Sequence, residues 1–136
     1  MAVQSDHEKL KVYQESIKFV TWADDLIQSV QRGAAAKDQL DRASTSIPLN
    51  IAEGNAKYST KERCRYLATA YGSAVECAAC LDVFVAKGLI RIEDIEPGKA
   101  MLLEIVAMLV GLMAKFSDRV GENCGEYVVG CGEDGE

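Results

Sequence analysis

The sequence predicts an all-α fold, an antiparallel up-down-up-down four-helix bundle. Apolar residues recur at alternating spacings of three and four along four long stretches, the pattern of helices that bury one face. Glycines, capping residues and short polar segments separate those stretches. Runs of strict apolar–polar alternation, which mark half-buried strands, are absent from the sequence.

The first helix is expected to start near Ser5, because Ser5 and Glu8 stand at capping-box spacing. Leu10, Tyr13, Ile17, Val20, Ile27 and Val30 form its apolar stripe, with Asp24 in a gap and Phe19 and Trp22 widening it. Gly33 is its expected stop, since glycine accepts the left-handed conformation after a helix end.

The second helix covers about residues 35–54, with Leu40, Ala43, Ile47, Ile51 and Gly54 on one side. Pro48 lies within it. Proline offers no N–H to the Ser44 carbonyl and presses on that same group. The stripe stays in phase on both sides, so the expectation is a continuous helix kinked at Pro48.

Residues 55–58 form a turn. Ser59 and Glu62 make a second capping box. Leu67, Ala70, Ala74, Cys77, Leu81 and Phe84 then give the third helix its seam, and Gly88 its end. Pro97 is placed in the first turn of a fourth helix, where a missing N–H costs nothing. Leu102, Ile105, Leu109, Leu112 and Phe116 repeat the seam, and Met101, Met108 and Met113 broaden it. An apolar surface that wide implies either a wide core stripe or a second burial surface used in self-association.

A chain of 136 residues suits one domain that buries about two thirds of its unfolded surface. Residues 1–118 are assigned to the bundle and residues 119–136 to an acidic, glycine-rich tail. In that tail only Tyr127, Val128 and Val129 are suited to dock. The five cysteines show no disulfide spacing, so Cys64, Cys77 and Cys80 are expected to act as small apolar residues in a reducing cytoplasm. The longest apolar run, residues 105–114, has ten residues against the roughly 20 that a membrane helix needs. The charged N-terminal region does not read as a signal peptide, and no membrane partner is expected.

The net charge of −6 is uneven: −2 over residues 1–30, +3 over 31–65 and −7 over 66–136. An acidic protein does not attract nucleic acid over its whole surface. The middle segment, with Lys57, Lys61, Arg63 and Arg65, is therefore the candidate contact for RNA, against the plainer reading of a solvated face.

Asn50 and Glu53 on the second helix, and Ser73 and Glu76 on the third, stand three apart within the apolar patterns. Gly72 and Ala74 are small enough for the helices to approach there. Buried carboxylates need partners; Arg42 and Arg65 are the candidate cations, with Arg42 preferred for Glu53. A di-metal carboxylate site needs Glu-x-x-His pairs, and the one histidine, His7, has no glutamate three positions before it. Acid–base work by Glu53 and Glu76 finds no nucleophile or oxyanion site beside it, and Cys77-x-x-Cys80 has no basic neighbours to favour a thiolate. No cofactor and no small-molecule substrate are implied. The set reads as a polar network of Arg42, Asn50, Glu53, Ser73 and Glu76 that fixes helix register.

Two motifs, Arg42-Ala-Ser-x-Ser-Ile-Pro-x-Asn-Ile-Ala-Glu-Gly54 and Ala70-x-Gly-Ser-x-x-Glu76, resemble the four-helix bundle proteins encoded in intervening sequences of bacterial 23S ribosomal RNA genes. The resemblance covers about residues 8–116. It implies an antiparallel bundle and, in members of known structure, a homopentameric ring; it implies no settled activity, and RNA binding is a suspected role of the family. A related bundle, the accessory protein of diversity-generating retroelements, is similar in architecture and binds nucleic acid and a reverse transcriptase; it is strongly basic, whereas this chain is acidic. The expectation is a self-associating module that binds RNA. The alternative is a protein-interaction scaffold with no nucleic-acid role.

Overall fold

The computed structural model describes residues 6–120. A short 3-10 turn, Asp6–Lys9, leads into α1 (Lys11–Ser29), α2 (Ala34–Asn55), α3 (Thr60–Ala86) and α4 (Ile92–Val120). Each helix packs on its neighbours in the chain, and α4 packs back on α1, so the four close around one core. Among the described residues there is no strand.

The first helix differs from expectation in its bounds and its phase. It begins at Lys11, after the 3-10 turn, and Ser5 lies outside the described residues. Its buried face is Val12, Ser16, Phe19 and Ala23, while Ile17 is exposed. A serine sits in that face because its hydroxyl donates to the Tyr13 carbonyl at 2.7 Å, which removes the cost of burying it. Gly33 does not stop α1, which ends at Ser29; with φ +83° it precedes the first residue of α2.

Helix α2 runs unbroken across Pro48. Ala43 and Ile47 are buried before the proline, and Ile51 and Gly54 after it. Burying a large apolar side chain contributes about 1.5–3 kcal/mol, so the shared stripe offsets a proline penalty of about 3 kcal/mol. The Ser44 and Thr45 hydroxyls both donate to the Asp41 carbonyl, at 3.1 and 2.8 Å.

The cap of α3 forms as its sequence predicts: the Ser59 hydroxyl accepts the Glu62 N–H at 3.3 Å. At the other end Gly88, φ +69°, lets the Leu89 N–H reach the Phe84 carbonyl and its own N–H reach the Val85 carbonyl, both at 2.9 Å. Those two bonds close the helix with a left-handed glycine just past its end. By length and hydropathy α3 could cross a membrane. Here it packs against α2 and α4, with nine of its residues buried.

Helix α4 starts five residues before Pro97, not at it. The start is set by Asp94, whose carboxylate accepts the Arg91 N–H at 3.2 Å, the reciprocal half of a capping box. Pro97 is exposed on the outer side of the second turn. Ile95, Leu102, Ile105, Leu109 and Met113 are buried, so Met113 occupies the seam where Leu112 was expected. The helix continues to Val120, two residues past the expected boundary at residue 118.

Candidate nucleic-acid interface and interhelical polar contacts

The polar residues between α2 and α3 separate into two crossings. Deep between the helices, the Ser46 and Ser73 hydroxyls meet at 2.7 Å. Asn50 joins them by donating its amide to the Ser46 carbonyl at 2.9 Å and to the Ser46 hydroxyl at 3.0 Å. About two turns further toward the start of α2, Gln39 donates to the Glu76 carboxylate at the surface.

The other expected members lie elsewhere. Glu53 is exposed and pairs with Lys57 at 3.6 Å, while Arg42 is exposed and pairs with Asp38 at 3.1 Å. Glu53 and Arg42 are eleven residues apart, about three turns, or some 16 Å of helix rise, too far for a direct pair. Each carboxylate finds its cation one turn away instead. Gly72 is exposed, with open space beside it; the close approach of α2 to α3 is at Gly54, where a Cβ would stand 3.0 Å from the Tyr66 Cβ. Sequence reasoning left Ser46 and Gln39 out of the network. The spacing of Ser46 four before Asn50 was the available signal.

A net hydrogen bond contributes about 1 kcal/mol, less than one buried leucine or phenylalanine. The serine crossing therefore adds little to stability beside the apolar core.

Cys77 and Cys80 are buried free thiols. Burial pushes both up from the ordinary thiol value, and the nearby Glu76 charge adds to it. A thiol held neutral is a poor nucleophile. Cys64 differs from expectation: it is fully buried and disulfide-bonded. Cys124 and Cys131 lie outside the described residues. Among the described residues no group of three or more His, Cys, Asp or Glu side chains is placed to hold a metal ion.

The basic positions cluster where α2 turns into α3. Lys57 follows the end of α2, where a cation is favoured by the helix dipole. Its ammonium lies 5.2 Å from the centre of the Tyr66 ring, and the Arg65 guanidinium lies 5.8 Å from the same ring. Each is within cation–π range. Lys61 is exposed on the first turn of α3, and Tyr58, in the turn before that helix, is fully exposed. Arg63 turns inward: its Nε donates to the Lys57 carbonyl at 2.6 Å, and its guanidinium lies 5.9 Å from the centre of the Phe116 ring. It thus holds the turn in place.

Behind this corner is a pocket of about 250 Å³ at the end of the bundle. Leu10, Ile51, Leu67, Leu112 and Phe116 give it apolar walls, and Arg63 and Lys115 stand among them. Tyr58, Tyr66 and Lys115 were not singled out from the sequence. Tyr66 meets Lys57 only because the chain reverses between them.

These contacts define an all-α four-helix bundle with a basic, aromatic corner. The chain belongs to the 23S rRNA-intervening sequence protein family, whose model matches residues 8–111. It is similar in fold to a crystal structure of a protein of unknown function from the S23 ribosomal protein family of Bacteroides thetaiotaomicron VPI-5482. The TM-score is 0.71 at 24% sequence identity, covering 74% of this chain and 96% of that one. No curated protein matches the chain.

Proposed function

We propose that the protein is a non-enzymatic, self-associating bundle that binds RNA through the corner formed by Lys57, Lys61, Arg65, Tyr58 and Tyr66. The observation that carries this reading is Tyr66 flanked by two cations, one of them Lys57, which the fully exposed Tyr58 follows in the chain. Cations neutralise phosphates, and aromatic faces accept unpaired bases at about 1–3 kcal/mol each. The family's link to a ribosomal RNA locus agrees with it.

Filter binding of structured RNA across a salt series tests the reading. Affinity should fall steeply with salt, with a log–log slope of about −0.7 to −0.9 per phosphate neutralised. Lys61→Ala with Arg65→Ala should flatten that slope, and Tyr66→Ala should weaken binding at every salt concentration. No binding at low salt rejects the RNA function.

Self-association is assigned to the α3–α4 face. Val75, Leu103 and Val106 line an apolar groove there, and Leu103 is 72% exposed. Light scattering that gives a monomer overturns this assignment. The same groove favours a second reading, a protein scaffold with no RNA role. Pull-down after nuclease treatment separates the two: partners that vanish with nuclease argue against the scaffold.

A further inference from the structure

The pocket of about 250 Å³ at the end of the bundle has an ordered lining. Helices α2, α3 and α4 each give it one apolar residue and, three or four positions away, one polar residue. The pairs are Ile51 with Asn55, Leu67 with Arg63, and Leu112 with Lys115. Residues so spaced share one helix face. Asn55 is the last residue of α2 and Arg63 lies in the first turn of α3, so each stands nearer the end of its helix than its apolar partner. Ile51 and Leu67 are buried, Asn55 and Arg63 are half-buried, and Lys115 is exposed. The lining is therefore an apolar floor with hydrogen-bond donors around its rim. None of the described residues that line it is an aspartate or a glutamate.

Arg63 is held in place by contacts of its own. Its Nε donates to the Lys57 carbonyl at 2.6 Å, and its guanidinium lies 5.9 Å from the centre of the Phe116 ring. A guanidinium carries five N–H donors, so one bond leaves four for a ligand. A side chain already fixed loses little freedom when it binds an anion. Among the described residues, no carboxylate pairs with Arg63 or Lys115.

We propose that this pocket binds a small organic monocarboxylate, with a medium-length alkyl chain or a single ring as its apolar body. The body rests on Ile51, Leu67 and Leu112, and the carboxylate accepts hydrogen bonds from Arg63 and Lys115. The volume is below the roughly 300–1,000 Å³ of sites for drug-sized ligands, which sets the size class. An apolar amine would meet two like charges. A bare phosphate would leave the apolar floor uncovered and lose its own hydration there. The assignment does not depend on the RNA reading.

Octanoate, titrated into the isotope-labelled full chain and read by amide chemical shifts, tests it. Saturable shifts are expected at Ile51, Asn55, Leu67 and Leu112, with a dissociation constant of about 10 mM or tighter. Octylammonium, with the same chain and the opposite charge, should bind about tenfold more weakly or less. Lys115→Glu, a change at an exposed position, should weaken octanoate about tenfold and strengthen octylammonium, while neutral octanol binds both proteins alike. An octanoate titration that moves none of the four amides overturns the site. Octylammonium that binds as tightly as octanoate, or octanoate that is indifferent to Lys115→Glu, overturns the carboxylate assignment. Structured RNA that displaces bound octanoate gives the pocket to a nucleotide and overturns the carboxylate as its occupant; octanoate that stays bound beside RNA supports it.

Discussion

Ser46 on α2 and Ser73 on α3 meet hydroxyl to hydroxyl at 2.7 Å, in a chain that places Ser73 among its buried residues. Either oxygen can donate, and Asn50 supplies a further proton to Ser46. The contact spans the most extensively packed helix pair of the bundle.

Removing one partner strands the other. Ser73→Ala should cost about 1 kcal/mol in urea unfolding. A double-mutant cycle with Ser46→Ala should return a coupling of about 0.5 kcal/mol or more. Strict additivity would mean that the two hydroxyls do not couple.

Glycine positions should separate by what stands beside them. At Gly98 an added Cβ runs into the Trp22 ring, so Gly98→Ala should cost about 1–3 kcal/mol and shift the emission of this single tryptophan. Gly72 has open space and a helical backbone. There the alanine should stabilise by about 0.4–1 kcal/mol, through the unfolded chain. Thermal melts of the two variants should move in opposite directions.

Cys77 and Cys80 should be labelled slowly by thiol reagents at neutral pH in the folded protein, because burial holds both neutral. In the unfolded, unreduced chain both should label at once while Cys64 stays blocked; reduction should then expose Cys64. Mass spectrometry of alkylated peptides reads each site separately.

Asp94 carries a pH dependence of definite sign. The side-chain hydrogen bond from Arg91 holds its carboxyl below the usual aspartate range, so its folded value is lower than its unfolded one. The stabilisation is fully present above about pH 3.9, the unfolded aspartate value, and is lost as pH falls through the lowered folded value. Asp94→Asn should remove that part of the acid dependence and fray the first turn of α4. Arg91 is exposed and Asp94 only partly covered, so the effect at neutral pH is small and screened by salt.

Much of this protein was legible in one dimension. Four helices, the Ser59 cap and the glycine end of α3 follow from periodicity and capping chemistry, which act within a turn or two of the chain. The continuity of α2 through Pro48 was legible too, because the apolar stripe keeps its phase across it. The phase of α1 was not, since a serine on its buried face is satisfied by its own backbone and leaves no mark in hydropathy. The partners of Glu53 and Arg42 were not either. A carboxylate and a guanidinium at a helix surface take whichever opposite charge lies one turn away, and water makes the alternatives nearly equal in energy.

What only the tertiary structure decided is which residues from different helices touch. Ser46 reaches Ser73, Gln39 reaches Glu76, and Lys57 shares the Tyr66 ring with Arg65. Each of these depends on the rotation and axial offset of one helix against the next. That choice is made by the fit of Ile47, Ile51, Leu67 and Leu81 in a shared core, and no spacing along a single helix encodes it.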